Sequence, residues 1–352
     1  MSRNLLPLMV SASLLAGAAW SDVPRVAADI APVHSLVSRV MHGVGDPDLI
    51  IPPGATPHEY NLRPSEATAL QDADLVFWIG EDLTPWMEGA IENLASNARI
   101  VALMEIDGAL TLPFRESALF EAHRHAEEDH NHDHDEDHGH ENDHSEHDDH
   151  DHAHEDVIKA DDHGHAEDHG EHGHEDHEEH AHGEHDPHSW LSLDNGIVWL
   201  NAIAARLSEA DPENAGLYYS NAAAAREELD TLRSEIDGIL DPVRGRNFIV
   251  FHDAYQYFET SFDFPASGAI SLSDATDPSP ARIAEIQNRV KEQGISCVLS
   301  EPQFDPKIVD AVMGGAEAKT GVLDPVGSDL EPGPDLYPAL LRNLARALAD
   351  CL

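Results

Sequence analysis

Of the 26 histidines in this chain, 21 fall between His123 and His185. Over residues 121–186 they alternate with 27 of the 68 acidic residues, against two basic ones, Arg124 and Lys159. Imidazoles and carboxylates at one- to three-residue spacing make many weak, adaptable sites for Zn²⁺, Ni²⁺ or Cu²⁺. A plain solvated spacer would account for the charge but not for the histidines. The stretch holds almost no large apolar residue besides Val157 and Ile158. It cannot bury enough surface to offset its ordering entropy, so it reads as a disordered, metal-binding loop. Five histidines remain outside it, His34, His42, His58, His188 and His252, and a specific site must be sought among them.

His58 ends the run Gly54, Ala55, Thr56, Pro57, His58, just past an apolar stretch closing at Ile51. His252 ends the apolar run that starts at Phe248, and His188 stands between Asp186 and Trp190, where ordinary composition resumes. Three imidazoles and one oxygen form an ordinary four-coordinate zinc set at about 2.0–2.1 Å per Zn–N bond. Asp324, expected at the end of another strand, could supply the oxygen. A carboxylate there would lower the net charge of a buried dication site from about +2 to +1, which three neutral imidazoles cannot do. His34 follows a strand but shares a helix face with Val33 and Leu36, so it reads as structural or supporting. His42 reads as a surface residue.

The elements that would position these residues alternate. Strands are expected over 25–30, 48–51, 75–79 and 99–103, with helices over 33–41, 65–72 and 85–95. The rhythm repeats with strands over 247–252, 265–270, 297–300 and 321–324, and helices over 253–260, 280–292, 306–319 and 338–350. Such alternation implies α/β architecture with parallel sheets covered on both faces, whose ligands bind beyond the carboxyl ends of the strands. Between the halves lie helices over 194–207 and 212–240, the second capped by Asp211 with Pro212 in its first turn. At 1.5 Å per residue that second helix would be a rod of roughly 43 Å.

The N-terminus carries Arg3, an apolar stretch to Trp20 and small residues at Ala18, Ala19 and Ser21. This is the layout of a signal peptide over 1–21, and the stretch is short for a membrane anchor and interrupted by Pro7. A soluble periplasmic protein is therefore expected. The remainder divides into a first lobe over 22–193 that includes the 121–186 insert, a helical region over 194–240, and a second lobe over 241–352. A net charge of −48 excludes nucleic acid as a partner, because phosphate neutralisation needs clustered Lys and Arg. The only cysteines are Cys297 and Cys351. In an exported chain an even pair usually bridges, the alternative being two free buried thiols.

Taken together, Gly-Ala-Thr-Pro-His58, the acidic histidine-rich insert, His188 before Trp190 and Phe-His252-Asp-Ala-Tyr255 form an ordered set. With Cys297-Val-Leu-Ser-Glu-Pro-Gln303, Leu323-Asp-Pro-Val-Gly327 and the terminal Cys351, it resembles the solute-binding proteins of bacterial high-affinity zinc-uptake ABC transporters, within the cluster A-I metal-binding group. The resemblance implies two lobes, each a four-stranded parallel sheet flanked by helices, joined by one long rigid helix, with Zn²⁺ between them. It implies that His58, His188 and His252 ligate the metal and that Cys297 bridges to Cys351. It further implies a monomer that delivers zinc to a membrane permease. Manganese-binding members carry a carboxylate where this chain has His252. Some zinc members have Glu directly before the first ligand histidine, where this chain has Pro57, so the fourth place lies between Asp324, water and Glu59.

Three other functions compete. A zinc hydrolase would need an open metal position beside a general base, and no His-Glu-x-x-His pattern occurs. A metal buffer or adhesin would make the insert the working part and the lobes its support. The same transport role for manganese or nickel is the third; three imidazoles disfavour manganese, which suits oxygen-rich sites.

Overall fold

A computed structural model of the chain describes residues 23–115, 117, 120, 185–272, 278–314 and 317–352. The expected signal peptide and nearly all of the 121–186 insert lie outside the described residues. The first lobe runs β1 (Val26–Ala28), α1 (Ala31–Met41), β2 (Asp48–Leu49), α2 (Pro64–Asp72), β3 (Leu75–Trp78), α3 (Pro85–Leu94) and β4 (Arg99–Ala102). Its strands lie in the order β2-β1-β3-β4, all parallel. The central strands β1 and β3 are wholly buried, which is why they read Val-Ala-Ala and Leu-Val-Phe-Trp rather than alternating. Proline occupies the first turn of α1, α2 and α3, where its missing N–H is not needed and its fixed φ suits the helix. Helix α1 is buried along nearly its whole length, because it lies between its own sheet and the helices that follow.

Helix α4 (Leu193–Ala210) starts at Ser192, whose side chain accepts from the Asn195 N–H. Helix α5 covers Ala215–Leu240, three residues shorter at its start than the sequence suggests. The Asp211 carboxylate accepts from Asn214 Nδ2 at 2.6 Å and from Tyr218 Oη at 2.9 Å. Asp211 thus closes α4 and holds the turn over 211–214, and Asn214 takes the N-cap place of α5. At 26 residues the rod is about 39 Å long. Tyr218, Ala222, Ala225, Leu229, Leu232, Ile236 and Leu240 form its buried stripe, spaced three and four apart as a packed helix requires. Early in α5, Asn221 donates to the Val40 and His42 carbonyls and Glu228 pairs with Arg39 of α1. Two turns later Glu235 takes both Arg342 Nε and Nη2, at 2.7 and 2.9 Å, from the last helix of the second lobe. One helix thus holds both lobes.

The second lobe comprises β5 (Phe248–His252), α6 (Gln256–Phe262), β6 (Ala269–Ser271), α7 (Pro280–Glu292), β7 (Cys297–Ser300), α8 (Pro306–Met313), β8 (Lys319–Val322) and α9 (Leu336–Cys351). Its order β6-β5-β7-β8, again parallel, repeats that of the first. Cys297 is bonded to Cys351 across a sequence separation of 54 residues, with a Cα–Cα distance of 5.8 Å. This pins the end of α9 to β7, and both sulfurs lie in buried residues.

Two boundaries differ from expectation with consequences for the site. Helix α8 stops at Met313 and not near Lys319, because Gly314 takes the left-handed conformation at φ 44° and caps it. Strand β8 begins correspondingly early: Cys297 pairs with Lys319 and Ser300 with Val322. Asp324 therefore lies two residues beyond the strand, in the following loop.

Candidate metal centre

His58 reaches the cleft on a loop. The ladder of β2 continues through Ile50 and Ile51, whose N–H groups donate to the Ala28 and Asp29 carbonyls. Gly54, at φ 82°, then turns the chain through a conformation that other residues adopt only with strain. The Pro57 carbonyl accepts from Trp86 Nε1 of α3 at 2.9 Å, and Tyr60 Oη donates to Glu66 of α2. This anchors the loop on both sides of His58, which stays half-buried.

His188 and His252 are held more deeply, only 6% and 5% exposed. His188 opens a short 3₁₀ turn, Ser189–Leu191. Its own N–H donates to Asp186 Oδ1 at 3.0 Å, and its Nδ1 lies 2.8 Å from the same oxygen. His252 ends β5 and shows the same device. Its N–H donates to Glu301 Oε1 at 3.2 Å and its Nδ1 lies 2.7 Å away from that atom. Each carboxylate oxygen thus receives two donors from one histidine, which assigns the ring proton to Nδ1 and leaves Nε2 as a bare acceptor.

The Nε2 atoms of His58, His188 and His252 converge. His188 Nε2 lies 3.3 Å from His58 Nε2 and 3.3 Å from His252 Nε2. Lone pairs facing at that distance repel unless a cation or proton stands between them. A tetrahedral ion with Zn–N bonds of about 2.0–2.1 Å has ligand–ligand edges of about 3.3–3.4 Å. Around the three rings the cleft is lined by Thr56 and Pro57 of the first lobe, by Trp190, and by Glu301, Gln303, Phe304, Pro325 and Val326 of the second. Trp190 Nε1 donates to the Pro325 carbonyl at 2.7 Å, closing one wall.

Electrostatics point the same way. Asp186 Oδ2 and Glu301 Oε2 are buried with no hydrogen-bond partner among the described residues. Burial pushes Asp186 up to about 7, only partly countered by the His188 N–H and by Arg115. It pushes Asp253, the neighbour of His252, up to about 7 as well, again against Arg115. Buried carboxylates held this far above their ordinary range want positive charge nearby, and a bound dication would restore their ionised forms.

Asp324 does not join the cluster. Its Oδ1 accepts from the Val326 and Gly327 N–H groups at 3.1 and 3.0 Å, and its Oδ2 from Ser328 N–H at 2.5 Å. It organises its own turn because β8 ends at Val322. Glu59 is exposed and does not line the cleft. His34 is a buried structural residue, its Nε2 donating to the Pro47 carbonyl at 3.0 Å, and His42 is exposed at the end of α1. The two orienting carboxylates escaped the sequence reading. By composition Asp186 belongs to the acidic insert, yet its N–H donates to the Leu112 carbonyl and His185 bridges to Pro113. The Asp-Pro-His spacing was the one signal that could have found it. Glu301 lies 49 residues from His252 and was visible only as part of a motif.

Comparison with known proteins agrees in fold and family. The family model "ZnuA: Zinc-uptake complex component A periplasmic" matches residues 26–351. The high-affinity zinc uptake system protein ZnuA of Brucella abortus is 44% identical over 354 residues, 99% of each chain. That of Paracoccus denitrificans is 42% identical over 335 residues, 95% of this chain and 93% of that one. A ZnuA crystal structure at 20% identity shares the fold, with a TM-score of 0.66 over 94% of this chain and 99% of the other.

Proposed function

The chain belongs to the family of periplasmic components of zinc-uptake complexes, solute-binding proteins and not enzymes, and from that premise we propose that it captures one Zn²⁺ ion at His58, His188 and His252. The observation that carries this reading is the pair of 3.3 Å Nε2–Nε2 separations that bring His58 and His252 to His188, with the Nδ1 atoms of His188 and His252 already facing carboxylates. An oxygen bonded to Nδ1 lies on the far side of the imidazole from Nε2. Asp186 and Glu301 therefore orient the rings and make them more basic, as carboxylates behind zinc-bound histidines do, without reaching the ion themselves. With Asp324 turned into its own loop, water takes the fourth place. Two nitrogen-rich walls and a missing positive charge suit Zn²⁺ better than Mn²⁺, which prefers oxygen.

His58 belongs to the first lobe and His252 to the second, so a bound ion ties the lobes together. That gives a membrane permease a physical difference between loaded and empty protein, and delivery to such a permease, after export through the 1–21 leader, completes the role. The histidine-rich insert would add several weak sites without building the tight one. Zinc titration against a competing chelator tests the reading. The intact chain should show one tight site above several weak ones, and His58→Ala, His188→Ala or His252→Ala should each abolish the tight one alone. Unchanged tight binding in any of the three variants would refute the assignment.

A further inference from the structure

Behind His188 and His252, the two chain segments that flank the insert are stitched to α6. The Leu112 N–H donates to Tyr257 Oη at 2.9 Å, Tyr257 Oη donates to the Asp186 carbonyl at 2.8 Å, and Gln256 Nε2 donates to the Pro113 carbonyl at 3.2 Å. Over this seam lies Arg115. Its Nη1 is 2.8 Å from Asp253 Oδ1 and 3.3 Å from Glu259 Oε1, and its Nη2 is 2.7 Å from Glu259 Oε2. The guanidinium carbon sits 3.9 Å from the centre of the Phe120 ring. Asp253 and Glu259 are almost wholly buried, and Arg115 largely so. Glu259 belongs to α6, whereas Asp253 directly follows His252 in the turn between β5 and α6.

The placement is odd if charge is all that matters, because an arginine beside a dication site repels the cargo. Burial works against its charge, and Glu259, Asp253 and Asp186 more than restore it, so it stays a cation among carboxylates that neighbour two ligand histidines. What arginine supplies and lysine cannot is a planar fork that grips two carboxylates in fixed directions. We propose that Arg115 is a positioning residue for metal capture: its fork clamps the turn starting at His252 to α6 and to the 112–115 segment that holds Asp186, and so preserves the His188–His252 spacing that a tetrahedral ion needs. This rests on the zinc-binding reading above.

The test uses the full chain carrying Arg115→Ala or Arg115→Lys, with zinc affinity from chelator competition, and the visible spectrum of one equivalent of Co²⁺ as a report on coordination geometry. Loss of an outer-shell partner costs about 10–100-fold in metal affinity, and both variants should fall in that range with an altered Co²⁺ spectrum. Zinc binding by the Ala variant as tight as wild type or tighter, with the Co²⁺ spectrum unchanged, overturns the proposal. So does wild-type affinity in the Lys variant, which would make charge and not the fork responsible. Should the Ala variant fail to fold, Glu259→Gln replaces it, with a smaller loss expected and no loss overturning the proposal. A wild-type chain without tight zinc binding overturns the functional reading and this proposal with it. Tight wild-type binding that the variants leave intact overturns this proposal alone.

Discussion

His188 and His252 meet the same need by different routes. Both ring Nδ1 atoms face a buried carboxylate oxygen that also takes the residue's own backbone N–H. For His188 that carboxylate is Asp186, two residues back, and a short turn builds the unit almost alone. For His252 it is Glu301, brought in only because β5 and β7 are neighbours, Phe248 pairing with Cys297 and Ile249 with Val298. The first device depends on local backbone geometry, the second on correct assembly of a parallel sheet. A purely chemical description of the two histidines would miss that their orientation has different dependencies on the fold.

The comparison can be broken most forcefully at the rings themselves. His188→Ala and His252→Ala should each lower zinc affinity by more than the roughly 10–100-fold that an outer-shell loss costs, as read by chelator competition. A milder loss would mean that the ion sits elsewhere.

Next come the carboxylates. Asp186→Asn and Glu301→Gln should weaken zinc by similar factors, each about 10–100-fold, because each replaces the charged acceptor behind a ring with a neutral amide. A large effect from one and none from the other would show that the matching geometry does not carry matching function. The disulfide separates the two routes further. Closing a 54-residue loop stabilises the fold by about 4 kcal/mol in the chain-entropy estimate. Changing both Cys297 and Cys351 to Ser should therefore lower the denaturant midpoint markedly. It should also weaken zinc slightly through the β7-dependent Glu301, while leaving the Asp186 device intact.

Acidity sharpens the comparison from another side. Burial raises Asp186 and Asp253 to about 7, so below that pH the metal-free site holds protons on these groups. Zinc favours their ionised forms and must displace those protons. Affinity should consequently fall as pH drops through 7, and proton release on binding, measured calorimetrically in buffers of different ionisation enthalpy, should grow between pH 8 and 6. Constant proton release over that range would contradict the electrostatic account. The smallest effect is expected at Asp324. Asp324→Ala removes acceptors from its own turn, costing about 1 kcal/mol of stability, and should change zinc affinity by no more than a few-fold.

Much of this arrangement was legible before any coordinates. Hydrophobic runs ending in His252 or just before His58 place imidazoles at strand ends, and such ends face the cleft in any doubly covered parallel sheet. The helix expected over 280–292 is observed as α7 at the same residues. The failures share a physical origin. Asp324 reads as a strand end when 306–319 is taken as one helix, whereas the stop at Gly314 lets β8 run two residues earlier, over Lys319–Val322. Asp186 was absorbed into an acidic run because composition cannot tell a buried carboxylate from a solvated one. Glu301 needed sheet order, which no local pattern contains. Strand ends and the resumption of ordinary composition thus point to the three imidazoles, whereas the carboxylates behind them depend on tertiary pairing.

The most direct test is zinc K-edge absorption spectroscopy on the chain lacking residues 1–21 and 121–184 and loaded with one equivalent of Zn²⁺. Three imidazole nitrogens at about 2.0–2.1 Å with one oxygen is the expected first shell. A shell dominated by carboxylate oxygens, or one with fewer than three imidazoles, would contradict the three-histidine centre.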